Sequence, residues 1–311
     1  MKTEQVIVVG IVLIGVAFAA FWEVKNGFKP KKIEITPELL TKGLERPCLW
    51  VYYDDSQVNS RDWTDFEARS SRAINIPILN LFYESIVKAN GDVYRVEVIG
   101  GLQGVMELLG EDAMPKSLRN LKASVGLAQQ DWIRSAILAK YGGLWLSSSV
   151  VCVKGFGKLP DKVVAFGQDD KPMYGTSVPG FRALWSPKPG HPLFVEWEQK
   201  CRTRLDTMLG GLQVRGDAKS DWVDLIKRND VEHRVYDELS RDPSSHKKLE
   251  LEHIFAKGNP LVIPDCAKYI VVPYDDLTNR RMFGWILRNS ETQILESDMA
   301  ISEVLRKTLA N

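Results

Sequence analysis

Four cysteines, at positions 48, 152, 201 and 266, are too few and too scattered to build a covalent or metallic framework. The sequence has no CxxC and no Cys/His cluster, which argues against a structural zinc site, and the spacing does not suggest a disulfide scaffold. It also lacks HExxH, GxSxG and any Cys–His spacing with a known hydrolytic mechanism. Charge of neither sign is in excess: 41 Lys and Arg against 40 Asp and Glu leave a formal +1. A nucleic-acid partner, which would call for a strong basic surplus, is therefore not expected. Internal repeats and low-complexity tracts are missing as well.

What remains is an ordinary globular composition, 44% hydrophobic and 26% charged over 311 residues, enough for one large domain or two smaller ones. Nine tryptophans is a high count, and Trp63, Trp145, Trp185 and Trp197 lie in polar surroundings. Carbohydrate-handling surfaces use such aromatics, although the core is their commoner destination.

One long apolar run stands out, Val6 to Trp22, with no charged residue in it. As a helix at about 1.5 Å per residue it would extend roughly 25 Å, the short end for a bilayer span. Phe21–Trp22 would sit at the interface. Ala17-Phe18-Ala19 also fits a leader-peptidase cleavage pattern, but a lone Lys2 opposed by Glu4 makes a weak leader. Residues 1–32 are thus expected to be a membrane anchor and basic linker, contacting the lipid bilayer through residues 6–22. Lys25, Lys29, Lys31 and Lys32 follow the run, so the positive-inside rule puts the large domain, residues 33–311, on the cytoplasmic side of a single-pass protein.

Along that domain, Cys48 to Tyr53 (CLWVYY) reads as a buried strand ending at Asp54–Asp55. A polar loop, Ser56 to Arg72, carries Arg61, Arg69 and Arg72. A helix is expected over Ile78–Ala89 and a strand over Val93–Ile99, and this strand–helix–strand order predicts a parallel pair. The central stretch is QDWIRSAILAKYGGLWLSSSVVCV, Gln130 to Val153. Val125, Ala128, Trp132, Ala136 and Ile137 recur at helical steps, with Asp131 and Arg134 sharing the neighbouring face. Gly142–Gly143 ends the helix, and a strand over Leu144–Val153 would put Trp145, Ser147 and Ser149 on one side. Further on, strands are expected at Lys162–Phe166 and Phe181–Trp185, then a helix over Leu193–Leu205. Residues 209–251 read as a peripheral helical section, Leu261–Val272 as strand, and Glu296–Leu309 as an amphipathic helix with Met299, Ile301, Val304 and Leu305 inward.

The central stretch resembles the core of the DXD-containing sugar transferases, including the capsular-polysaccharide-synthesis-like members. Their pattern is an S-D-hydrophobic-hydrophobic-R helix, then Y-G-G-hydrophobic-aromatic, then D-x-D. Asp131 and Arg134 match the first part; Tyr141, Gly142, Gly143, Leu144 and Trp145 match the second. The resemblance implies a GT-A-like α/β fold, a mixed and mostly parallel sheet flanked by helices. It also implies a nucleotide sugar and a glycan acceptor as partners, with Asp131, Arg134, Gly142, Gly143, Trp145, Ser147 and Ser149 at the substrate. The family's two aspartates hold Mn²⁺ or Mg²⁺ against a diphosphate, and Ser147 and Ser149 stand in their place. A serine hydroxyl is a poor ligand for a hard cation. A metal cofactor is therefore not expected unless Asp169 and Asp170, the next carboxylates downstream, supply a replacement site. No residue is assigned a catalytic role, and two functions stay open: an anchored sugar transferase, or a non-catalytic descendant with a structural or interaction role at a membrane.

If residues 6–22 form an anchor, the mature protein keeps Met1 or its immediate neighbours and stays with membranes through an alkaline wash. N-terminal sequencing that finds a mature start near Phe21 would establish a cleaved leader instead.

Overall fold

The computed structural model describes residues 46–54, 76–121, 123, 125–168, 178–209 and 218–310. The chain divides at Glu45–Arg46, and all described residues belong to the second unit, Arg46–Asn311. The expected anchor and linker, Asp55, the loop arginines at 61, 69 and 72, Trp63, Asp169 and Asp170 lie outside the described residues. Among the described residues no helix is long and apolar enough to cross a membrane.

The elements follow one another as β1 (Cys48–Tyr53), α1 (Pro77–Asn90), β2 (Arg95–Gly100), α2 (Gly101–Leu109), α3 (Leu127–Tyr141), β3 (Gly143–Ser147) and β4 (Val150–Cys152). Then come β5 (Val163–Gln168), β6 (Pro179–Ser186), α4 (Pro192–Leu209), α5 (Ala218–Arg228), β7 (Val231–Arg234) and β8 (Glu238–Leu239). The chain closes with α6 (Leu251–Ile254), β9 (Tyr269–Val271), α7 (Tyr274–Asn279), α8 (Glu291–Glu296) and α9 (Ala300–Ala310). Six strands form the main sheet in the order β2-β1-β3-β6-β5-β7, and β4-β9-β8 form a second, three-stranded sheet. In the main sheet only the two pairings of β6 are antiparallel. The fold is thus mixed α/β with a mostly parallel central sheet flanked by helices.

Strand periodicity decides which side chain enters which layer. Leu49, Val51 and Tyr53 of β1, with Leu144 and Leu146 of β3, face α1, the small sheet and the C-terminal helices. Trp50, Tyr52 and Trp145 face the opposite layer, α2 to α5. Neither face of the sheet meets water over its central strands, so these strands read as near-continuous apolar runs. Helix α1 begins at Pro77, whose missing N–H is no loss in a first turn. It buries Ile78, Leu79, Leu81, Phe82 and Ile86 on the sheet. The expected inward residues of α9, Ile301, Val304 and Leu305, with Met299 just before it, are buried, and α9 packs on α1.

Three expectations change. The strand expected from Leu144 to Val153 breaks at Ser148–Ser149, and its second half joins β9 in the other sheet. The break is local: Ser149 N–H and Ser149 Oγ lie 3.4 and 3.0 Å from Ser147 Oγ, a side-chain turn that competes with a continuing ladder. The section 209–251 is not wholly helical; it contributes β7 to the main sheet edge and β8 to the small sheet. Short and charged (VEHR and EL), these strands carry little β signal, as edge strands commonly do. Over Leu261–Val272 only Tyr269–Val271 is strand.

Gly143, at φ +93°, opens β3; a Cβ there would stand 2.4 Å from the carbonyl oxygen of Cys48. Gly143→Ala therefore combines left-handed strain with a backbone clash, and it should cost at least about 2 kcal/mol in urea unfolding. Gly157→Ala, whose φ is +64° with open space at the Cβ, should cost only about 1 kcal/mol from conformation alone. Equal losses in the two variants would show that the Cys48 contact is not what excludes a side chain.

Candidate functional site

Parallel strands β2, β1, β3, β5 and β7 end at one edge of the main sheet, and the antiparallel β6 begins there. In open α/β sheets ligands bind at this carboxyl edge, where the strand order reverses. Here β1 is the first strand in the chain, with β2 on one side and β3 on the other. Tyr52 of β1 pairs with Ser147 of β3, so both stand at that edge. Ser149 follows beyond the break, and the two serine hydroxyls lie 3.0 Å apart.

On the helical side of β3, Asp131 and Arg134 come from α3. Gln129 Oε1 accepts from Gly126 N–H at 3.1 Å and starts the helix. A 15-residue run free of glycine and proline carries it to Tyr141. One turn in, Arg134 Nη1 donates to Asp131 Oδ1 at 3.2 Å, with side-chain exposures of only 11% and 13%. The guanidinium lies 5.8 Å from the Trp145 ring centroid and 5.4 Å from that of Phe181. Each stack contributes about 0.5–2 kcal/mol when desolvated. Burial pushes the Arg134 pKa down, Asp131 pulls it back up, and Arg182 nearby lowers it. Its Nε is buried without a hydrogen-bond partner among the described residues.

The residue after Phe181 leaves on the other face. Between β5 and β6 the register runs Phe166 to Ala183 and then Gln168 to Pro179, so β6 carries a bulge. The bulge aims Phe181 at the helical layer, where it stacks on Trp197, and Arg182 at the small sheet. There Arg182 Nη1 meets Glu238 Oε1 at 3.3 Å, and Tyr269 O–H donates to Glu238 Oε2 at 2.9 Å. The Glu238 side chain is wholly buried. Its carboxyl packs on Gly167 so closely that a Cβ there would come within 2.3 Å. Two arginines, each held by a buried acid, thus stand on opposite faces of the sheet near its carboxyl edge.

Beside Ser149 opens a cavity of about 200 Å³, lined by Arg182, Ser240, Lys248, Tyr274 and Asp276 among others. A larger groove of about 380 Å³ lies between α4 and α5. Its own charges satisfy one another there, Asp221 accepting from Arg204 at 2.5 Å and forming an ion pair with Lys200 at 3.6 Å. No element of the carboxyl edge lines it, and the smaller cavity is the better candidate.

The structure places Asp131 and Arg134 in the helical layer beside Trp145 of β3, and Ser147 and Ser149 at the carboxyl end of that strand. It does not bring Gly142 and Gly143 there. They sit at the amino end of the strand, where Trp50 Nε1 donates to Gly142 O at 2.8 Å. The space beside them is filled by backbone of Lys188 and Cys48. His191 also lies toward that far end, its Nδ1 accepting from Leu193 N–H at 3.3 Å to cap α4. Arg182, Glu238 and Tyr269 escaped sequence reading. The one signal was Pro179–Gly180 at the head of a strand, which marks a bulge and hence a shifted alternation.

Ser147 and Ser149 offer neutral hydroxyls already bonded to each other. Among the described residues no three His, Cys, Asp or Glu side chains converge as a ligand set.

No protein-family model matches the chain, and no curated protein matches it. Among solved structures, the chain is similar to the PaToxG glycosyltransferase at 11% identity, covering 59% of this chain and 69% of that one, with a TM-score of 0.34. A structure described as a transferase aligns at 14% identity over 60% of this chain and 85% of its own, TM-score 0.33. The apo form of the glycosyltransferase GlyE of Streptococcus pneumoniae TIGR4 aligns at 9% identity over 62% and 46%, TM-score 0.33. Similarity of this size carries no conclusion about function; what the cleft can bind has to be read from its side chains.

Proposed function

We propose that this chain is a GT-A-type sugar-transferase-fold protein that takes a nucleotide sugar at the carboxyl edge of its main sheet without a divalent cation. In this reading Val6–Trp22 tethers it to a membrane, and the acceptor is a glycan or another hydroxyl-bearing molecule. The observation that carries the reading is the placement of the hydrogen-bonded Ser147–Ser149 pair at the end of β3. Asp131 and Arg134 stand with Trp145 in the helical layer beside that strand, and the resemblance gives Asp131 and Arg134 to the donor sugar. In that pattern Asp131 accepts from sugar hydroxyls, and Arg134 supplies a fixed guanidinium.

A second reading, a domain that keeps the cleft but has lost transfer, rests on the same serines. A diphosphate leaving group departs with about two negative charges that must be stabilised as they develop. Ser147 and Ser149 add no charge, and Asp131 offsets Arg134. Both readings share the metal-free cleft and differ in turnover.

Calorimetric titration of the full chain with uridine- and guanosine-diphosphate sugars tests the cleft. The wild type should bind at least one weakly, with affinity unchanged by Mn²⁺, Mg²⁺ or a chelator. Ser147→Asp combined with Ser149→Asp should bind more tightly, about tenfold or more, and only with Mn²⁺ present. Tight, chelator-sensitive binding by the wild type would contradict the metal-free cleft and direct attention to Asp169 and Asp170. Absence of binding by both forms would refute the nucleotide-sugar reading.

A further inference from the structure

We propose that the cavity beside Ser149 is a subsite for a single neutral pyranose unit, recognised through Arg182 and the α7 carboxylates; the proposal rests on the sugar-transferase reading and names the substrate class of one part of that cleft.

Charge decides against the obvious alternative, a phosphate. Among the described residues of the cavity's lining, Arg182 and Lys248 are the cations and Asp275 and Asp276 the carboxylates. Glu238, wholly buried behind Arg182, is a third carboxylate on the same group. Over the described residues, two positive charges against three negative ones do not attract a dianion; a buried phosphate would meet repulsion. The same set suits a neutral polyol. Guanidinium and ammonium groups donate only, carboxylates accept only, and the hydroxyls of Ser149 and Ser240 do both. Vicinal hydroxyls of a sugar ring present that mixture along one edge. Tyr274, with Val272 beside it, supplies an apolar wall for the C–H face. A volume of about 200 Å³ has room for one ring and not for a nucleotide as well.

Arg182 is also preorganised for this task. The bulge of β6 turns it toward the cavity, Glu238 Oε1 holds it at 3.3 Å, and Tyr269 fixes the other carboxylate oxygen at 2.9 Å. A guanidinium locked before binding loses little side-chain entropy when a ligand arrives. Glu238 and Tyr269 are positioning residues in this scheme and do not touch the sugar.

The test uses saturation-transfer NMR and titration of the full chain with methyl glycosides of neutral hexoses and N-acetylhexosamines, a hexuronic acid, inorganic phosphate and pyrophosphate. At least one neutral glycoside should bind in the millimolar range, and phosphate and pyrophosphate should not compete with it. Asp276→Asn, at an exposed position, should weaken that glycoside about fivefold or more. Arg182→Lys, which keeps the charge facing Glu238 but loses the planar fork, should do the same. Nucleoside diphosphate lacking the sugar should bind both variants as it binds the wild type. The proposal is overturned if no neutral glycoside binds, if phosphate occupies the cavity, or if both variants bind the glycoside like the wild type. The nucleotide-sugar reading survives any of these provided the nucleoside diphosphate still binds.

Discussion

The close approach of β3 to β1 is the constraint on which the rest depends. Gly143 leaves no room for a Cβ against the carbonyl of Cys48, and Gly142 none against Lys188. That junction turns α3 directly into a strand and sets its parallel register, Leu49 with Leu144 and Tyr52 with Ser147. From the register follows everything at the far end of the strand. Trp145 falls in the helical layer beneath Arg134, Leu144 and Leu146 fall in the other, and Ser147 arrives at the carboxyl edge. Trp50 reinforces the junction by donating its indole N–H to Gly142 O.

Near the carboxyl edge two guanidiniums are fixed in place. Arg134 is held by Asp131 and stacked between Trp145 and Phe181. Arg182 is held by Glu238 on the opposite face. Both depend on the β6 bulge, since an unbroken strand would send residue 181 to the face of Ala183 and residue 182 to the other. Each acid is buried, so removing an arginine would strand a carboxylate, at a cost of about 3–5 kcal/mol where burial is complete. The geometry is therefore rigid by construction, and a rigid cleft favours recognition over rearrangement.

Much of this was legible in the sequence. CLWVYY is β1 at the bounds expected, the helix over Ile78–Ala89 and the parallel β1–β2 pair are present, and the helix–Gly-Gly–strand core is there. Those segments are long or strongly patterned, and both faces of β1 and β3 are buried, so local signal and tertiary environment agree. The expected strand through Val153 ended early because the Ser147–Ser149 hydroxyl contact is a local alternative to the ladder that periodicity does not register. VEHR and EL were missed because edge strands need little apolar content when a neighbour supplies the ladder. Glu238 was hidden for the same reason: a glutamate in a charged stretch gives no sign that Tyr269, some thirty residues on, will bury it. Gly142 and Gly143 show the reverse error of scale, since their conformational role was plain while their distance from Ser147 required the strand direction.

The central claim is that ligand binds at the carboxyl edge around Ser147 without metal. Hydrogen–deuterium exchange of the full chain with a saturating nucleotide sugar in chelator tests it most directly. The account predicts slowed exchange in Leu146–Val151 and Pro179–Ala183, with the α4–α5 groove unchanged. Protection confined to that groove, or appearing at the carboxyl edge only after Mn²⁺ is added, would contradict it.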